Sequence, residues 1–182
     1  MTSPLKLKYA VGLLLAVVAL LPTHRASAAS LTGESRAALR QLVAQNPAAS
    51  KVSQNAIAVL VFPNVVKAGF IFGGQGGEGV LFVHGQRAGH YRTFAASYGL
   101  QAGVQKYGYA LFFMNQRAVD WVNAARGWSI GSGPSVVIVD KGAARTISSE
   151  TLHSGIYAFT FDQQGLMAGL GIQGSKIERI GD

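Results

Sequence analysis

Apolar and polar residues follow two different periods along this chain, and the period changes near residue 56. Before that point, Leu39, Leu42 and Val43 recur at three- and four-residue spacing while Arg36 and Arg40 occupy other faces. This pattern predicts an amphipathic α-helix.

Three positions carry residues typical of helix caps. Thr32 can cap the first helix, which we expect to end near Asn46. Asn46 followed by Pro47 predicts a short second helix toward Gln54. Asn115 can cap a third helix over residues 116–125.

After residue 56, short apolar runs alternate with glycine, proline and asparagine, which predicts many short strands. Predicted strands cover 57–62, 70–72, 80–83, one or two long strands in 91–109, then 110–114, 136–139, 156–161, 166–172 and 176–180, with a turn at 84–86 and loops at 131–134 and 140–150. Few helices and many glycine-containing strands predict an α+β fold: a small, strongly bent antiparallel sheet or β-barrel with about three short helices.

The segment Gly74–Gly79 matches the GxGxxG motif, but the following segment, Val80–Val83, is typical of a strand. A dinucleotide site requires a helix at that place, so we expect no nucleotide cofactor and no other cofactor. We interpret the glycines instead as a flexible bend that joins two strands.

The first 28 residues are typical of a cleaved export signal. Lys6 and Lys8 precede an apolar run of 13 residues from Tyr9 to Leu21, and Ala26-Ser27-Ala28 forms a cleavage site. We therefore expect a single domain over 29–182 in the periplasm or secreted, peripheral to a membrane. Cleavage lowers the net charge from +8 to +5 because Lys6, Lys8 and Arg25 are lost and no acidic residue is.

Sequence motifs give little support for catalysis, metal binding or nucleic-acid binding. Gly127–Gly131 spells GxSxG around Ser129, but a nucleophile elbow needs a strand before the serine and a helix after it. The chain has no cysteine, and its histidines lack metal-binding spacing. Basic residues are scattered singly, so we expect no enzyme activity and no nucleic-acid partner, only a modest attraction to anionic surfaces.

Four blocks of the sequence resemble the SYLF domain family, a lipid-binding module that also carries a yeast actin-binding name. The blocks are AVLVFPNVVKAGFIFGGQGGEGVLFV (58–83), YRTFAASYGLQAGVQ (91–105), YALFFMNQRA (109–118) and GLMAGLGIQGSKI (165–177). The likeness runs from about Leu39 to Ile180 and is typical of an exported bacterial single-domain member. It implies a β-barrel core with helices packed on its outside and phosphoinositide-type lipid binding.

From this resemblance, the charge and the helix pattern, we predict binding to anionic phospholipids or phosphoinositides at a membrane surface. Predicted headgroup contacts are Lys51, Lys67, Arg87 and Arg92, and predicted membrane contacts are Arg36 and Arg40. Because an exported protein does not meet actin, we do not expect actin as a partner. The alternatives are an interaction protein that docks to another envelope component, and a hydrolase that uses Ser129.

Overall fold

The computed structural model describes residues 28–69, 72–98, 103–124, 127–139, 154–165, 172 and 174–182. Residues 1–27 of the predicted export signal, the predicted loop 140–150 and most of the predicted strand 166–172 lie outside this set. Within the described residues, three helices and eight strands form an α+β fold, as predicted. Their bounds are α1 Ala28–Gln45, α2 Pro47–Asn55, β1 Ala58–Gly69, β2 Phe72–Val83, β3 Gln86–Tyr98, β4 Gly103–Phe113, α3 Gln116–Val122, β5 Trp128–Ser129, β6 Val136–Ile138, β7 Ile156–Gly165 and β8 Lys176–Gly181.

Asparagine caps begin two of the three helices, as the sequence predicts. The Asn46 side chain accepts hydrogen bonds from the amides of Ala48 and Ala49, and Asn115 accepts one from Ala118. Asparagine at this position satisfies amide groups that have no partner inside the helix. The caps therefore fix where α2 and α3 begin.

The cap predicted at Thr32 is wrong, because α1 already begins at Ala28. Thr32 lies inside the helix, where its Oγ1 donates a hydrogen bond of 2.8 Å to the Ala28 carbonyl. Leu31 is buried with the apolar residues beneath α1. Burial of the Leu31 side chain stabilises an extra helical turn before Thr32.

The eight strands form one curled half-barrel sheet in the order β5-β8-β3-β2-β1-β4-β7-β6. All pairings are antiparallel except that of β6 with β7, which is parallel. Hairpins join β1 to β2 and β2 to β3, the second through a turn at His84 and Gly85 with positive φ at both residues. This tight turn was predicted.

The sheet has an inner and an outer face, each with its own apolar cluster. The inner cluster unites side chains from strands near both ends of the sheet, such as Trp128 of β5 and Ile156 of β7, with α3. Strands from both ends can share one cluster only on the concave side, so this face is the inside of the curl. The outer cluster lies under α1 and α2, which contribute Leu42 and Val52.

A bulge in β1 changes which residues face inward. The register of β1 shifts between Val61 and Asn64 on one side and between Phe62 and Val65 on the other. Pro63 lies in this bulge, where its missing amide hydrogen leaves no strand pairing unsatisfied. The extra residue reverses the alternation, so Phe62 and Val65 both belong to the inner cluster.

The bend predicted at Gly74–Gly79 is wrong, because these residues lie inside the continuous strand β2. Gly77 pairs with Val65, next to the bulge. A Cβ at Gly77 would lie 2.6 Å from the Asn64 carbonyl oxygen, and one at Gly79 would overlap the Val61 carbonyl. These glycines therefore allow β1 and β2 to approach closely where the sheet curls.

Candidate functional site

The six basic residues predicted to contact lipid are spread over both ends of the sheet. Five of them are exposed: Arg36 and Arg40 on α1, Lys51 on α2, and Arg87 and Arg92 on β3. Lys67, near the end of β1, is only 7% exposed. Arg36, Arg40 and Arg87 lie toward the end of the sheet that carries the β2–β3 turn, since Arg36 bonds Gly85 and Arg87 pairs with Phe82.

An apolar groove of about 420 Å³ lies between α1, α2 and the outer face of the sheet. We call it the α1 groove. Four of its lining residues are polar or glycine, namely Arg40, Ser53, His84 and Gly85. The other nine are apolar: Leu39, Val43, Ala44, Ala56, Ile57, Ala58, Val59, Phe82 and Phe112. A concave, mostly apolar site with a few polar groups is typical of small-molecule and lipid pockets.

The amphipathic stripe of α1 forms one wall of the α1 groove. Leu42 is buried against the sheet, and Leu39 and Val43 are half-buried. The apolar face of α1 therefore packs on the protein, whereas Arg40 lines the groove. The prediction of an amphipathic helix is confirmed, and its apolar residues contribute to the outer core.

Arg36 joins α1 to the β2–β3 turn at the edge of the α1 groove. Its guanidinium carbon stands 5.0 Å from the centroid of the Phe82 ring, and its Nη1 donates a 3.2 Å hydrogen bond to the Gly85 carbonyl. Both partners line the groove. Arg40 follows one helical turn later on the same side of α1. Two arginines thus lie beside an apolar groove, of which Arg36 is held by these contacts, and neither is in an ion pair with a described carboxylate.

A second surface lies on the half of the outer face beyond Asn64, whose side-chain amide donates to Glu34 of α1. We call it the outer patch. Strand pairing places one row of residues across five neighbouring strands, in the order Lys176, Phe94, Gly76, Val66 and Lys106. Phe94 is 40% exposed and Val66 46% exposed. The outer patch therefore combines exposed apolar side chains with flanking lysines.

Two basic residues of the outer patch share one carboxylate. Arg92 donates two hydrogen bonds to Glu178, at 3.0 and 2.6 Å, and Lys176 lies 2.7 Å from the other oxygen of that carboxylate. Lys176 and then Arg92 hold the pKa of Glu178 below its usual value. The predicted headgroup contact Arg92 is thus already engaged with a carboxylate.

Lys67 belongs to a polar cluster on the inner face. It pairs in register with Gln75 of β2 and Gln105 of β4. Gln75 accepts a 2.9 Å hydrogen bond from the Tyr107 hydroxyl and donates one of 2.7 Å to Ser175. Burial raises the pKa of Tyr107 to about 12. The β1 bulge explains this position, because without it Lys67 would alternate to the exposed face.

The GxGxxG and GxSxG motifs of the sequence lack the structural context that nucleotide binding and nucleophilic catalysis require. Gly74–Gly79 lies within β2, with no helix after it. Ser129 ends the two-residue strand β5, and a turn follows, in which Ser132 donates to the Ser129 carbonyl. A nucleophile elbow would need a helix there.

Two further features are absent from the residues that the structure describes. No group of three or more histidine or acidic side chains is arranged to hold a metal ion. Within the same part of the chain, none of the three helices combines the length and apolar character needed to cross a membrane.

Sequence reasoning did not find the α1 groove or the outer patch. The groove joins α1 to the nearby strand β1 and also to Phe82 of β2 and Phe112 of β4, which lie far along the chain, and the patch depends on the register of five strands. No alternation of apolar and polar residues marks the patch in β4, because the apolar Val104 is exposed and the polar Gln105 beside it is buried.

Comparison with known proteins identifies the C-terminal part of the chain. Residues 94–182, just under half of the chain, match a family model described as "Ysc84: Las17-binding protein actin regulator". This segment is similar to the SYLF family. The SYLF family is a lipid- and actin-binding type of domain. The match begins in β3 and includes β4, α3 and β5–β8. The strands of this segment form one sheet with β1 and β2. No curated protein matches the chain.

Proposed function

We propose that this SYLF-like protein binds anionic phospholipid headgroups at a membrane surface, as an exported, non-enzymatic component of the cell envelope. The observation that carries the proposal is the pairing of the apolar α1 groove with the guanidinium groups of Arg36 and Arg40. Apolar surface beside cationic side chains suits the boundary between lipid chains and phosphate headgroups.

Charge around the groove favours an anionic ligand. Arg40 and His84 line it, and Arg36 and Arg87 flank the β2–β3 turn. Arginine suits phosphate because its planar guanidinium can donate two parallel hydrogen bonds to phosphate oxygens. Lys51 of α2 is exposed and can add long-range attraction. Binding should be weak and salt-sensitive, because a few exposed basic residues contribute about 1 kcal/mol each at an anionic surface.

Vesicle co-sedimentation tests this proposal directly. The exported form should sediment with phosphatidylcholine vesicles that contain phosphatidylglycerol, and less with phosphatidylcholine alone. Raised salt should reduce the difference. Equal binding to both vesicles, or no binding at low salt, would contradict the proposal.

The outer patch favours a second candidate function, docking to another envelope protein. Its exposed aromatic and aliphatic side chains are surrounded by mixed charges, because Glu178 pairs with both Arg92 and Lys176. Aromatic residues and arginine are enriched at protein interfaces. In a pull-down from envelope extract, Phe94→Ser should remove a specific partner while vesicle binding stays unchanged. Loss of vesicle binding instead would assign the patch to lipid.

A further inference from the structure

The shape and composition of the α1 groove suit a ligand that has an apolar part as well as a headgroup. Phe82 and Phe112 project from the outer face of β2 and β4, and Leu39 and Val43 of α1 face them across the groove. Its volume of about 420 Å³ lies in the range of small-molecule sites. Headgroup adsorption requires only a charged surface, so this apolar volume calls for an apolar ligand.

Polar groups in the α1 groove gather at the β2–β3 turn. His84 and Gly85 form that turn, and Arg36 is bonded to the Gly85 carbonyl. Arg40 lines the groove one helical turn from Arg36. A ligand with one anionic end and one hydrocarbon end would match this distribution, because the anion can meet Arg40 while the hydrocarbon packs against the half-buried Leu39, Val43 and Ile57.

We propose that the α1 groove binds one hydrocarbon chain of an anionic amphiphile, with its acidic head at Arg40 and His84. The inference rests on the proposed function and deepens it, because it names the part of the lipid that enters the protein. A free fatty acid and a phospholipid with one withdrawn acyl chain share this chemistry. Charge complementarity at the turn and the apolar lining support this occupant.

A chain-length series tests the inference without vesicles. Titration calorimetry of the exported form with octanoate, decanoate, dodecanoate and tetradecanoate, each below its micelle concentration, should show about a fourfold gain in affinity per buried methylene. Affinity should level off once the chain fills the groove. An unlimited rise with chain length would indicate unspecific partition and would overturn the inference.

A groove-filling substitution provides a second and independent measurement. Ala44 is exposed and lines the groove, so Ala44→Phe fills the site without enlarging a buried residue. Ala37 is exposed on the same helix and does not line the groove, so Ala37→Phe is the matched control. We expect Ala44→Phe to weaken dodecanoate binding at least tenfold, Ala44→Leu to weaken it less, and Ala37→Phe to leave it unchanged.

The outcomes separate this inference from the proposed function. If Ala44→Phe abolishes fatty-acid binding and also lowers vesicle binding, the ligand is a membrane lipid with one chain in the groove. If fatty-acid binding is lost but vesicle binding persists, the groove binds free fatty acids. If no amphiphile binds while anionic vesicles do, the inference is overturned and headgroup binding stands. If amphiphiles bind and anionic vesicles do not, the proposed function fails instead.

Discussion

The guanidinium of Arg36 lies over the ring of Phe82, 5.0 Å from its centroid. This contact joins the middle of α1 to the outer face of β2, close to the turn that carries His84 and Gly85. It holds α1 against the sheet and places Arg40 beside the apolar lining of the α1 groove. The position of one arginine thus connects the packing of the helix with the candidate lipid site.

Replacing Arg36 should therefore affect stability. Arg36→Ala removes a cation–π contact and a hydrogen bond to the Gly85 carbonyl, and we expect a loss of about 1 kcal/mol in the free energy of unfolding. Arg36→Lys should recover part of this loss. Urea denaturation of the three proteins measures the effect, and an unchanged midpoint for Arg36→Ala would contradict the role assigned to this contact.

Arg40 should contribute to binding more than to stability, because it is exposed and forms none of the described ion pairs. Arg40→Gln should weaken binding to phosphatidylglycerol vesicles about fivefold, which corresponds to about 1 kcal/mol. Arg117→Gln is the matched control, because Arg117 is exposed on α3, which packs on the inner face. Equal losses for both variants would indicate a general charge effect rather than a site.

Gly77 should tolerate no side chain. A Cβ there would lie 2.6 Å from the Asn64 carbonyl oxygen and 2.9 Å from Val65 Cγ2, so Gly77→Ala should destabilise the protein by about 1–3 kcal/mol. Gly33 in α1 has open space around its Cα, and Gly33→Ala should stabilise by up to about 1 kcal/mol. Thermal unfolding of the pair provides the comparison. A harmless Gly77→Ala would show that β1 and β2 do not approach closely at the bulge.

Stability should fall at alkaline pH because of buried tyrosines. Burial raises the pKa of Tyr107 to about 12 from 10.0, and it also raises those of Tyr91 and Tyr109. Since the folded state favours the neutral phenol, the contribution of Tyr107 is complete below pH 10.0 and is lost as pH rises through about 12. Urea unfolding across this range should show the fall, and Tyr107→Phe should make it shallower. A flat profile would argue against burial of these hydroxyls.

Cleavage of the export signal can be tested by measuring the mass of the protein. If the predicted signal is cleaved after Ala28, the protein recovered from the cell envelope should begin at Ala29 and contain residues 29–182. Intact-mass spectrometry reads this directly. A full-length chain in the cytoplasmic fraction would contradict both the export and the envelope role.

Local sequence signals predicted the local structure well. The caps at Asn46 and Asn115 and the turn at His84-Gly85 depend on a few neighbouring residues, so the sequence contains all the information they need. The α+β class and the bent sheet followed from glycine-containing strands. Thr32 was misleading because burial of Leu31 by distant strands extends α1 past a residue that could have capped it.

Features that depend on long-range pairing could not be predicted in the same way. The bulge at Pro63 reverses the alternation of β1, which turns Lys67 toward the inner face beside Gln75 and Gln105. Gly77 and Gly79 of the neighbouring strand leave room for that bulge and do not form a bend. The α1 groove likewise exists only after α1 has packed across β1, β2 and β4.

The most direct test of the lipid-site assignment is a map of backbone amide shifts during titration with a short-chain phosphatidylglycerol. We expect shifts at residues that line the α1 groove, such as Leu39, Val43 and Phe82, and their loss in Ala44→Phe. Shifts confined to Val66 and Phe94 of the outer patch, or no shifts at all, would contradict it.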